Sequence, residues 1–102
     1  MTNVLASGIE IIGSIRFQKD MHIDGKIEGE IQSDTGKVTI GDEANIKGDI
    51  QARDVHVYGK VEGNVRCESC HLSKDAIIQG DITTGVLSMD QGARLSGRAE
   101  IG

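Results

Sequence analysis

Residues Val38 to Asp54 read VTIGDEANIKGDIQARD, and altered forms of this stretch return along the whole chain. Its centre, Ile46 to Ile50 (IKGDI), sets a glycine between two apolar residues, each one position removed. The same phrase stands around Gly13 (IIGSI), Gly29 (IEGEI), Gly63 (VEGNV), Gly80 (IQGDI) and Gly97 (LSGRA). Steps between successive glycines are 16, 19, 15, 17 and 17 residues. A period held in this range marks a stacked repeat, in which each unit buries its apolar face against its neighbours.

Inside the template, apolar residues alternate with polar ones, the period of a strand with one buried face. Val38 and Ile40, Ala44 and Ile46, then Ile50 and Ala52 form three inward pairs. The residues between them, Gly41 to Glu43, Lys47 and Gly48, and Arg53 and Asp54, suit bends. Three short strands and three corners per unit predict an all-β, single-domain parallel β-helix of triangular cross-section. It has about six coils of roughly 17 residues over residues 9–102. Met1 to Gly8 carries no copy of the phrase and is expected to be a flexible segment outside the domain.

Stacking the units tests this reading. The first face collects Met21 and Ile23, Val38 and Ile40, Val55 and Val57, Cys70 and Leu72, Leu87 and Met89. The second collects Ile11, Ile27, Ile46, Val61, Ile78 and Leu95, and the third Ile15, Ile31, Ile50, Val65, Ile82 and Ala99. A mostly small column of Ser33, Ala52, Cys67 and Thr84 lies beside the third and ends in Phe17 and Ile101. Longer corners bring Ala44, Ala76 and Ala93 together, and length variation is expected at that corner alone. The glycine column has two physical readings: a corner residue with positive φ, which is preferred, or a place too narrow for any side chain. Outside, Glu28, Lys47 and Glu62 alternate in charge and support register.

Composition agrees with a narrow aliphatic core. One Phe, one Tyr and no Trp favour a thin rod over a ball, and 14 Gly without Pro suit repeated bends. A net charge of −5 argues against nucleic acid as a partner. No segment reaches the roughly 18 apolar residues of a membrane span, and Met1 to Ser14 lacks a secretory pattern. A cytoplasmic protein with free thiols is therefore expected.

Catalytic chemistry finds little support. Cys67 and Cys70 have the spacing of half a zinc site, but no second pair exists, and both fall in inward columns as small fillers. His22, His56 and His71 share one outward position of the first face, with His56 and His71 on consecutive coils about 4.8 Å apart. That spacing allows an opportunistic metal contact or mutual repulsion once both rings are protonated, and a solvated polar column is the expected role. No phosphate-binding loop and no nucleophile beside a base is present, so no catalytic residue, cofactor or metal site is expected.

The two ends carry the functional expectation. A β-helix satisfies its backbone groups between coils, so its first and last coils present open edges. Ile9, Ile11, Ile15 and Phe17 at the first end, and Leu87, Met89, Leu95, Ala99 and Ile101 at the last, are the candidate polymerisation surfaces. No polar helix or Pro barrier is expected over either. Burying three or four aliphatic side chains at an end contributes roughly 5 to 12 kcal/mol.

Six phrases in register, IEGEI, IKGDI, VEGNV and IQGDI foremost, resemble the bactofilins, bacterial polymer-forming cytoskeletal proteins. The resemblance covers about Ser7 to Gly102. It implies a right-handed triangular β-helix that polymerises without nucleotide, coils joined end to end with like ends facing. Such filaments serve as scaffolds in cell shape, envelope growth and polar organisation, often near the inner face of the cell membrane. The implied partners are other copies of the chain and envelope or peptidoglycan-related proteins. Val4 and Leu5 offer little area for membrane attachment. Many members use a Phe near the C-terminal end, where this chain has Leu95 and Ile101. Two other readings compete: a monomeric β-helix adaptor, and a β-helix enzyme of acyltransferase or carbonic-anhydrase type. Those enzymes resemble stricter six-residue repeats.

Overall fold

Alternation of apolar and polar residues, broken every few positions by glycine or a polar pair, produces strands of two to four residues in most coils. A computed structural model describes residues 2–33 and 35–102. The described residues contain strands and no helix.

The first face is built by β1 (Thr2–Leu5), β4 (Asp20–Ile23), β7 (Lys37–Ile40) and β10 (Asp54–Val57), in order along the axis. The second holds β2 (Glu10–Ile12), β5 (Lys26–Glu28), β8 (Asn45–Lys47), β11 (Lys60–Glu62), β13 (Ile77–Gln79) and β15 (Arg94–Ser96). The third holds β3 (Ile15–Arg16), β6 (Ile31–Gln32), β9 (Ile50–Gln51) and, at its far end, β16 (Ala99–Ile101). Two longer strands, β12 (Val65–Leu72) and β14 (Ile82–Met89), run from the third face round the corner onto the first. They join these two faces into one ten-stranded sheet, and the second face is a separate six-stranded sheet. Every pairing is parallel, as a solenoid requires.

The inward columns fall in the expected register. Met21, Val38, Val55, Cys70 and Leu87 are successive partners on the first face, and Ile11, Ile27, Ile46, Val61, Ile78 and Leu95 on the second. Side chains in the middle coils, among them Ile27, Ile46, Val61 and Ile78, are fully buried. Glu28, Lys47 and Glu62 also lie in register, although Glu62 turns to Lys60 of its own strand at 3.1 Å.

Three expectations change. Thr2–Leu5, read as outside the repeat, forms β1 and pairs with Asp20–Ile23, with Leu5 buried, so these residues supply the first face of the first coil. Met1 lies outside the described residues. Length also varies at the corner between the third and first faces, where links 17–19 and 33–36 exceed Ala52 and Arg53. Finally, the subunit is no thin rod: its extents are 29 × 24 × 22 Å. Coils stacked at about 4.8 Å give a height close to the width of the triangle, so elongation requires several copies.

Candidate assembly surfaces at the two ends

Both readings of the glycine column hold together. Gly29, Gly48, Gly63 and Gly80 have φ of 143, 140, 142 and 140°, and a Cβ on each would run into the carbonyl oxygen of the preceding glycine. The residue after the glycine adds a side-chain ladder up the same corner. Asp49 Oδ1 accepts from the Asn64 amide (3.2 Å), Asn64 Oδ1 from the Asp81 amide (3.3 Å) and Asp81 Oδ1 from the Arg98 amide (3.1 Å). A repeated Gly-Asp or Gly-Asn is its signal in the sequence.

This stacking leaves strands at each end paired on one side only. Among the described residues, β1, β2 and β3 find partners only in the second coil, and β15, β16 and residues 86–89 of β14 only in the coil before. At the first end Ile9 is exposed, and Ile11 and Ile15 are half-buried against the core. At the last end Met89, Ile101 and Ala99 are exposed, and Leu87 and Leu95 half-buried. Phe17 differs from the others. It is 9% exposed, and its ring lies so close over Gly36 that a Cβ there would meet it, so Phe17 belongs to the core more than to the end. Beside it, Ile15 and Met21 line an open apolar notch with Arg16, Gln18 and Lys19.

In the terminal coils, Ile12 and Val86 escaped the sequence reading because they point outward, and Val4, weighed there only as a membrane contact, joins them. Val4 (66% exposed) stands in the column of His22 and Thr39, Ile12 (77%) in that of Glu28 and Lys47, and Val86 (61%) in that of Ser69 and Asp54. These columns are polar or charged along the middle coils and turn apolar in a terminal one. The first end thus adds Val4 and Ile12 to its cut core, and the last end adds Val86 beside the polar Ser88, Arg94, Ser96 and Glu100.

The cysteines and histidines are not drawn into an end surface. Cys67 and Cys70 are free; Cys70 is buried and Cys67, half-buried, donates toward Thr84 Oγ1 at 3.5 Å. His56 stands opposite His71 with ring centroids 5.5 Å apart. Burial, Lys37 and His71 together hold His56 below the ordinary histidine range, against Asp54. Among the described residues no three His, Cys, Asp or Glu side chains gather around one point.

Known proteins share this architecture. A filament reconstruction, "Cryo-EM reconstruction of Thermus thermophilus bactofilin double helical filaments", superposes with a TM-score of 0.93 at 26% identity over 98% of this chain and 99% of that one. "Atomic structure of the cytoskeletal bactofilin BacA revealed by solid-state NMR" superposes with a TM-score of 0.87 at 28% identity, covering 96% of this chain and 93% of that one. A crystal structure of a Thermus thermophilus bactofilin F105R mutant shares the fold, with a TM-score of 0.83 at 23% identity over 88% of this chain and 100% of that one. No curated protein sequence matches. The family model described as "Bactofilin: Polymer-forming cytoskeletal" matches residues 3–100. With nearly its whole length matched, the chain belongs to the bactofilin family, whose members are structural, polymer-forming cytoskeletal proteins and not enzymes.

Proposed function

We propose that this bactofilin assembles end to end through both ends of its solenoid, without nucleotide, into filaments that serve as a scaffold in cell shape, envelope growth or polar organisation. Its place is the cytoplasm, at or near the inner face of the cell membrane, where envelope or peptidoglycan-related proteins are the partners to be held. The observation that carries this reading is the change of three outward columns, those of Val4, Ile12 and Val86, from polar to apolar in a terminal coil, beside edge strands paired on one side only. Unpaired edges and exposed apolar surface are features that soluble monomers avoid. No nucleotide is invoked because the sequence has no Gly-rich phosphate loop ending in Lys-Ser or Lys-Thr. No helix among the described residues is long and apolar enough to cross a membrane.

Electron microscopy and sedimentation of the purified chain in nucleotide-free buffer test the proposal. Filaments are expected, and they are expected to shorten when Ile101→Arg places a charge in the last coil. A monodisperse monomer across a concentration series would instead favour the adaptor reading, and filaments that appear only with nucleotide would remove the nucleotide-free clause.

A further inference from the structure

Beyond assembly, one side-chain group on the first face has the makings of a ligand site. We propose that His56, His71 and Asp90 bind a divalent transition-metal ion of the Zn2+ or Ni2+ type, which ties three successive coils together. Parallel register fixes His56 opposite His71 and His71 opposite Ser88, two residues before Asp90. The Asp90 amide is itself anchored to the Leu72 carbonyl at 2.8 Å, which sets its position beside His71.

Distances favour a ligand pair. His71 Nε2 lies 3.4 Å from Asp90 Oδ2, long for a charge-assisted hydrogen bond. Two donors on one tetrahedral ion, with bonds of about 2.0–2.2 Å, stand about 3.3–3.5 Å apart. His71 and Asp90 therefore already have the separation of two ligands. The third donor is close: the His56 ring stacks on His71, centroids 5.5 Å apart and planes tilted by 31°. Under this proposal the His56 ring turns about its side-chain bonds until a nitrogen meets the ion. This turn separates the metal-free arrangement, in which no three such groups converge, from the bound one.

The ligand chemistry also fits. His56 would bind as the neutral imidazole, the form with a lone pair to give. His71 would bind through Nε2 in the tautomer that keeps its proton on Nδ1, and Asp90 as a carboxylate. Two imidazoles and one carboxylate suit zinc, nickel or copper better than magnesium or calcium, and water completes the fourth position at this open site. His22 provides an internal comparison. It bonds Asp24 of its own coil at 2.9 Å, and its ladder neighbours are Val4 and Thr39, so it has no second imidazole.

Titration calorimetry of Zn2+ into the full chain carrying Cys67→Ser, which removes the accessible thiol, tests the site. One ion per chain is expected, with a rise in melting temperature that Mg2+ does not reproduce. His56→Gln and Asp90→Asn should each weaken binding roughly tenfold or more, and His22→Gln should leave it unchanged. Histidine NMR signals should shift for His56 and His71 and stay in place for His22. Absence of binding, or binding that survives His56→Gln with His71→Gln, overturns the proposal. So does loss of binding on His22→Gln alone. All these positions face outward, and far-UV circular dichroism of each variant separates lost binding from lost fold.

Discussion

Gly48 sits directly over Gly29, and the carbonyl oxygen of Gly29 occupies the space that a Cβ on Gly48 would need. The same relation joins Gly63 to Gly48 and Gly80 to Gly63, so the corner where the coils approach most closely is a column of backbone alone. Gly13 stands at the start of this column, with φ of 133° but no atom within 4 Å of its Cβ position. Strain and crowding can therefore be separated. Gly13→Ala should cost only the positive-φ penalty, about 1–3 kcal/mol. Gly63→Ala adds a clash with rigid backbone and should cost about 4 kcal/mol or more. Urea midpoints of the two variants check this, and equal losses would show that crowding is unimportant.

The ends give a second contrast. Ile12 is 77% exposed and Phe17 is 9% exposed, although both belong to the first coil and its corner. Ile12→Arg should leave the melting temperature within a few degrees of the parent and reduce filament length. Phe17→Arg should instead lower stability by about 3–5 kcal/mol, because a charge would replace a core ring packed over Gly36. Sedimentation together with thermal melts distinguishes them. A stable Phe17→Arg protein would mean that the ring is dispensable to the core.

The inward side of the solenoid was legible in the sequence because six coils repeat the same in-out alternation, and a one-residue slip would turn every side chain over. Ile27, Ile46, Val61 and Ile78 could be assigned to one column on that ground alone. β1 was not legible because Asn3 stands in register with Met21, where the other coils offer an apolar residue, so the paired pattern fails there. Outward relations were hidden for a different reason. Alternation says that Ile12 or His71 points outward, but not which side chain of the next coil it reaches, and so neither the apolar rims nor the Asp90 contact could be read. Phe17 was read at the end of an inward column, and its burial agrees; how fully it is covered was not legible, because it sits in a link whose length differs between coils.

The corner ladder supplies a third test. Asn64 accepts from the Asp81 amide and donates its own amide to Asp49, a reciprocal role that no alanine can fill on the acceptor side. Asn64→Ala should cost about 0.5–1.5 kcal/mol, the usual range for one lost hydrogen bond. Asn64→Asp, which keeps the acceptor, should restore most of it. Chemical denaturation of the pair decides whether the ladder contributes to stability.

His56 makes stability depend on pH. Its folded-state affinity for protons is lowered by burial first, then by Lys37 and His71. The unfolded chain therefore binds the proton more readily, and stability rises with pH through the region just below the ordinary value of 6.5. In the presence of a chelator, the urea midpoint of the parent should fall between pH 7.5 and pH 5.5 by more than that of His56→Gln. Parallel pH profiles would mean that the pair exerts no net effect on folding.

The thiols should react at very different rates. Cys67 is held below the ordinary cysteine range, chiefly by contact with the Cys70 thiol and also by Thr84, while burial opposes both. Cys70, 1% exposed, is pushed far upward by that same contact and by burial. Thiolate is the reactive form, so both ionisation and access favour Cys67. A chromogenic disulfide reagent at pH 7.5 should therefore give one fast equivalent and one slow equivalent, the slow one accelerated by urea. Cys67→Ser should abolish the fast phase and leave the slow one, whose rate then reports how often β12 opens from its neighbours. Two equal phases in the folded parent would mean that Cys70 is far more accessible than its place between Val55 and Leu87 allows.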